Sequence, residues 1–211
     1  MIKIALLGAT GWVGSTIAKE ALDRGHQVTA IVRDPLRIHY SHKMLRVLIG
    51  NINSYENITG LLKGHDLVAS AIKLSNHSLL PSFAASLVLC MEMATVKRLL
   101  WSGCAATLHV APDRRLLDMQ TFPSGYADES FAQYACLKLL QKYGFGISWT
   151  YISPPVVLMS GTRTGRYRIG DSQLLKCGIG ESRITVNDYA VAFVDEIESA
   201  AHVGKHVHFA Y

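Results

Sequence analysis

Short apolar runs alternate with amphipathic stretches through the first half of the chain, a pattern that predicts βαβ units and a parallel sheet. Strands are expected at Ile2–Leu7, Gln27–Val32, Leu45–Ile49, Asp66–Ala71 and Arg98–Ser102, followed by Ile147–Ser153 and His206–Ala210. Most of these runs are nearly continuous in apolar residues, as strands are when helices cover both faces of a sheet. Helices are expected at Val13–Arg24, Tyr55–Leu62, Leu79–Ala94, Asp128–Tyr143 and Asn187–Ala200. Gly25 stands where the first helix should stop. Pro154-Pro155 ends the sixth strand, because proline cannot donate to a ladder.

Two segments break this rhythm. Residues 103–125 contain Pro112, Pro123 and Gly125 and are long enough to predict a lid over a binding face. Residues 157–185 carry five glycines and few core-sized side chains, which predicts a small C-terminal cap of hairpins leading into a helix. The expected fold class is therefore α/β: one doubly wound parallel sheet, a Rossmann fold, forming a single domain over residues 1–211.

Composition narrows the function classes. No apolar run approaches the roughly 18 residues that cross a bilayer. Only Ile4 to Leu7 separate Lys3 from Gly8, too little for a signal peptide, so a cytoplasmic protein away from membranes is expected. The net charge is +5, but the basic residues are dispersed without interleaved aromatics, which argues against nucleic acid and suits an anionic small molecule. The assembly is expected to be a monomer or homodimer. Cys90, Cys104, Cys136 and Cys177 are widely spaced and expected to be thiols; Cys104, after a strand end, is a candidate nucleophile.

The chemistry starts at Gly8-Ala9-Thr10-Gly11-Trp12-Val13-Gly14. Three glycines between a strand and a helix make a phosphate-binding turn. The first allows the tight turn, the second lets a pyrophosphate approach the backbone, and the third lets helix and strand pack closely. The helix N-terminus then favours the phosphates.

Spaced as Gly-x-x-Gly-x-x-Gly, the motif resembles that of the extended and atypical branches of the short-chain dehydrogenase/reductase superfamily. Val32-Arg33-Asp34-Pro35, Gly50-Asn51-Ile52, Ser70-Ala71 and Arg183-Ile184-Thr185-Val186-Asn187-Asp188-Tyr189-Ala190 agree with that resemblance. More narrowly, the chain is similar to small NmrA-like NAD(P)-binding proteins described as NAD(P)H-flavin reductases. The resemblance implies that Arg33 approaches the adenosine ribose and Asn51, where members commonly carry Asp, the adenine. It puts Ser70, Ala71 and Ile72 along the ribose, and Ser102, Gly103 and Pro154 at the nicotinamide end. Arg33 at the end of the second strand suits the 2′-phosphate of NADP, so NADPH is expected over NADH.

Reductases of this superfamily pair a Tyr-x-x-x-Lys with a Ser at a strand end, the Lys lowering the Tyr pKa. The literal match is Tyr134 with Lys138, but Tyr126 has the better spacing, 24 residues after Ser102 and 28 before Pro154. Tyr134 falls about 12 Å further down the helix. Ser130 occupies the lysine position relative to Tyr126, so Tyr126 and Ser102 are the expected catalytic pair without its lysine. His109 is a spare proton donor. His202, His206 and His208 read as a surface feature at a sheet edge, with no metal expected. The leading expectation is an NADPH-dependent reductase of a flavin (FMN or FAD) or quinone. A non-catalytic NADP(H) sensor or scaffold, or a carbonyl reductase or epimerase, are the alternatives.

Overall fold

The computed structural model describes residues 1–51 and 54–211; Ile52 lies outside them. Strand β1 (Lys3–Leu7) leads into helix α1 (Trp12–Asp23), β2 (Gln27–Val32), β3 (Leu45–Ile49), α2 (Tyr55–Leu62), β4 (Leu67–Ser70), α3 (Leu80–Met93) and β5 (Arg98–Ser102). A short hairpin, β6 (His109–Ala111) and β7 (Arg114–Arg115), precedes α4 (Ala127–Tyr143) and β8 (Ser148–Ser153). The chain closes with β9 (Val157–Met159), β10 (Arg168–Gly170), β11 (Arg183–Thr185), α5 (Val186–Ser199) and β12 (Lys205–Ala210).

Among the described residues, eight strands form the central sheet in the order β3-β2-β1-β4-β5-β8-β12-β10. Its neighbours are parallel except β10, which runs antiparallel to β12. Strand alternation splits the core in two. Ala5, Leu7, Trp101 and Tyr151 pack against Phe83, Leu87 and Leu140 beneath α3 and α4. Ile4, Leu6, Leu100 and Ile152 pack against Ile17, Phe193 and Ile197 beneath α1 and α5. This is the doubly wound arrangement, with the C-terminal ends of the parallel strands along one rim.

The 157–185 segment departs from the hairpins expected of it. β9 and β11 pair in parallel with each other, and β10 joins the main sheet instead. Asp188, fully buried in the first turn of α5, holds this segment down. It accepts from the Thr164 and Gly165 amides at 2.7 and 2.8 Å, and from the hydroxyls of Thr164 and Tyr211, each at 2.6 Å. Burial works against its charge, but these hydrogen bonds hold the carboxyl below the usual carboxylate range. The 103–125 connection is also structured. The His109 amide donates to Ser172 O at 2.7 Å and its carbonyl accepts from the Leu174 amide at 2.9 Å, which binds the two irregular segments together.

Because β10 covers β12, the histidines of β12 do not lie on a bare edge. His208 is fully buried with Nδ1 3.0 Å from Ser153 O, and half-buried His206 places Nε2 2.8 Å from Ser153 Oγ. His202 bonds the buried Glu196 at 2.7 Å. The surface reading is corrected for His208, which pairing with β10 buries, whereas His202 and His206 stay partly exposed.

Burial pushes the His206 imidazole down from 6.5 to about 4, and His109 and His208 act in the same sense. Between those values the unfolded chain binds a proton that the folded protein refuses. The contribution of His206 is thus complete above pH 6.5 and declines as the pH falls towards 4. Urea unfolding should show a loss of about 2 kcal/mol at pH 5 relative to pH 7 from this residue. His206→Gln should narrow the difference; an unchanged pH profile in that variant would refute the assignment.

Candidate functional site

The rim is organised by the turn between β1 and α1. Gly8 adopts φ +88°, and a Cβ there would lie 2.3 Å from Ala71 O. A Cβ on Gly14 would lie 2.1 Å from Gly8 O. Both positions are therefore backbone-to-backbone contacts that admit only glycine. Gly11 is different: it is exposed, and a Cβ there would meet nothing nearer than Gly8 O at 3.4 Å, an ordinary contact. The protein thus leaves the space above Gly11 open.

Gly11 is also the N-cap of α1, with no side chain capping it and no acidic residue in the first turn. A helix start leaves its first amides without intrahelical acceptors, so an anion can take them. The Tyr40 hydroxyl, 3.3 Å from Ala9 O, braces the turn from outside. Burial raises its phenol to about 12, which keeps it a donor.

A cleft of about 220 Å³ runs from this turn. Thr10 and Gly11 form one side, and Ala71, Ile72, Lys73 and Leu74, after β4, form the facing wall. Trp12 is exposed and Val13 half-buried at the helix start. Val32, Arg33, Arg37 and Gly50 line the far end. Asp34 does not line the cleft among the described residues; its carboxylate accepts the Leu36 amide at 3.0 Å and caps the short turn Pro35–Arg37. That turn is what carries Arg37 to the cleft. Sequence reading missed Arg37, although Asp34-Pro35 is an N-cap followed by an N1 proline, a legible signal of such a turn. Asn51 is exposed beside Gly50, its amide held by Asn57 Oδ1 at 2.9 Å. Ser70 is buried, and its hydroxyl has no protein partner among the described residues.

At the ends of β5 and β8 the geometry is more closed. Tyr189 donates to Ile152 O at 3.1 Å, so Ser102 Oγ, at 2.9 Å, donates to the Tyr189 oxygen. Gly103 lies against the Tyr151 ring, which a Cβ would meet at 2.1 Å, and Pro154 is half-buried after β8. Tyr126 is 64% exposed at the start of α4. The Ser102 hydroxyl is engaged with Tyr189 of α5, and Tyr126 is the N-cap residue of α4. Burial lifts the Cys104 thiol to about 11, which disfavours the thiolate a nucleophile needs.

Tyr134 and Lys138 lie elsewhere. Together with His109, Arg115 and His206 they line a separate cavity of about 510 Å³ between α4 and the β6–β7 hairpin. The Arg115 guanidinium stacks 3.8 Å from the Tyr134 ring centre, and His109 Nδ1 is 3.2 Å from Ser172 Oγ. Neither Tyr134 nor Lys138 lines the cleft over the glycine turn.

The glycine turn, the open helix start and the arginines fit a nicotinamide dinucleotide, and the sequence agrees: a family model described as NAD(P)H-binding matches residues 8–197. The chain belongs to the NAD(P)H-binding family. Three solved structures extend the comparison. A protein from Burkholderia pseudomallei, described as a candidate exported protein, is 38% identical with a TM-score of 0.92, covering 100% of both chains. A candidate epimerase from Bacteroides thetaiotaomicron is 34% identical with a TM-score of 0.94, over 100% of this chain and 98% of its own. A candidate NADH-flavin reductase from Streptococcus pneumoniae TIGR4 is 29% identical with a TM-score of 0.86, over 100% and 99%. No described helix of the present family member is long and apolar enough to cross a membrane.

The glycines separate structure from binding in a testable way. Gly11→Ala should fold with a loss of no more than about 1 kcal/mol yet bind NADPH more than about tenfold more weakly. Gly14→Ala should fail to fold stably. Circular dichroism melts and calorimetric titration check both; undiminished NADPH binding by Gly11→Ala would remove the pyrophosphate from this turn.

Proposed function

We propose that the protein is an NADPH-dependent reductase of a flat conjugated acceptor, a flavin or a quinone. The observation that carries this is the placement of hydroxyls around the cleft. Ser102 is spent on Tyr189, and the Tyr134–Lys138 pair lines a different cavity. This supports a reading in which no tuned Ser-Tyr-Lys proton relay operates at the dinucleotide.

The bound dinucleotide would supply hydride, that is, two electrons and one proton. The α1 amides and Gly11 would hold its pyrophosphate, and Arg33 and Arg37 would hold the adenosine 2′-phosphate. A flavin or quinone spreads the arriving charge over a conjugated system and takes its second proton from water. An ordinary ketone concentrates charge on one oxygen and gains roughly 10²–10⁴ from a placed acid. The Streptococcus pneumoniae relative, a candidate NADH-flavin reductase, supports the same acceptor class. Support for NADPH comes from two guanidiniums at the adenosine end, beside a carboxylate already occupied by its own turn.

Calorimetry should find NADPH bound roughly tenfold or more tightly than NADH. Arg33→Ala and Arg37→Ala should each erode that preference, and the double variant should abolish it. Equal affinities in the native protein would refute the assignment.

In steady-state assays, FMN, FAD or a quinone should support NADPH oxidation and simple ketones should not. Tyr126→Phe should lower the flavin rate by less than about tenfold, on the order of 1 kcal/mol. Tyr134→Phe should match the parent. A loss of orders of magnitude in Tyr134→Phe or Lys138→Ala would instead restore the literal Tyr-x-x-x-Lys pair as the catalytic one.

A further inference from the structure

We propose that Lys73 is a ligand of the dinucleotide's pyrophosphate, held in reserve by Glu129 until the dinucleotide arrives. The proposal rests on the pyrophosphate lying over Gly11. Lys73 follows β4 in the cleft wall that faces the glycine turn. That wall and the turn are in backbone contact, since the Ala71 carbonyl occupies the space beside Gly8. Lys73 is two residues further on, a span of at most about 7 Å, and its stem is long and flexible enough to turn towards the glycine turn.

Charge balance favours such a group. A pyrophosphate carries about two negative charges, whereas a helix N-terminus offers roughly half a positive one. Arg33 and Arg37 sit at the adenosine end, after β2. Lys73 is the cation on the wall opposite Gly11, and no carboxylate lies among the described residues that line the cleft.

Lys73 Nζ is 2.9 Å from Glu129 Oε2, and the lysine side chain is 71% exposed. An exposed ion pair of this kind is weak and easily exchanged. Glu129 also loses little on release, because it stands in the first turn of α4, where the helix dipole already stabilises it. A phosphate offers Lys73 several charged acceptors in return. Arrival of the dinucleotide therefore moves Lys73 from carboxylate to phosphate.

Calorimetry on the full chain tests this with NADPH, NADH and adenosine 2′-monophosphate, which has no pyrophosphate. Lys73→Ala should weaken NADPH and NADH alike, by roughly five- to twentyfold, and leave adenosine 2′-monophosphate unchanged. Lys73→Arg should restore most of the affinity. Glu129→Gln should tighten both dinucleotides about two- to threefold by releasing the lysine, an effect that a merely structural tie would not produce. An effect of Lys73→Ala below about twofold, or an equal loss on adenosine 2′-monophosphate, overturns the phosphate role. Weaker dinucleotide binding by Glu129→Gln overturns the reserve. Failure of the underlying placement is told apart by Gly11→Ala: if that variant binds NADPH normally, the pyrophosphate lies elsewhere, whatever Lys73 does.

Discussion

The contact on which the rest depends is backbone against backbone at the start of α1. Gly14 lets the helix close onto the Gly8 carbonyl, and Gly8 lets the turn close onto Ala71 of the next strand's loop. No side chain separates these three pieces of main chain, so their spacing is set by van der Waals contact and cannot relax. It follows that α1 points its uncapped amides into the crevice between β1 and β4, and that the wall after β4 stands a fixed distance away. Gly11 alone of the three has space left over, and that space is where a ligand fits.

Behind this contact lies a sheet whose two faces are both dry. Burying them leaves polar groups inside, and two buried carboxylates are tied to segments from other parts of the chain. Asp188 gathers the loop at Thr164–Gly165 and the C-terminal Tyr211. Glu196, almost fully buried, receives Arg98 at 2.7 Å, Thr150 at 3.0 Å and His202. Removing one partner from such a network leaves a desolvated charge, which is costly. Rigidity at the rim is thus secured from below by buried carboxylates and from the side by the β6–β7 hairpin latched to residues 172–174.

The central strands, the five helices and the glycine turn were legible because each is signalled within one short stretch. Continuous apolar runs mark strands buried on both faces, and Gly8, Gly11 and Gly14 mark the turn. What escaped depends on pairing between distant segments. Nothing local to Arg168–Gly170 announces an antiparallel partner for β12, so His208 reads as an edge residue when it is interior. The Tyr134–Lys138 match is visible in sequence, but which cavity it lines is decided by the hairpin packed against α4. Tyr40 and Lys73 give no signal for a similar reason, and Arg37 is announced only indirectly, by the Asp34-Pro35 start of its turn. Each is an ordinary surface residue in sequence, and only the fold of its loop carries it to the turn or the cleft.

The same device keeps the cleft cationic at both ends. An anion site needs its carboxylates out of the way, yet Asp34 adjoins Arg33 in sequence and Glu129 touches Lys73 in space. Neither can simply be absent, since each has a structural task. Asp34 caps the turn that delivers Arg37, and Glu129 belongs to the acidic first turn of α4. In both cases the negative charge sits at the start of a helical turn, whose positive end lessens its need for a side-chain cation. The neighbouring cation is then easier to release to a ligand. A carboxylate moved away from a helix start would need Arg33 or Lys73 as its permanent partner, and the cleft would lose the positive charge that draws an anion in.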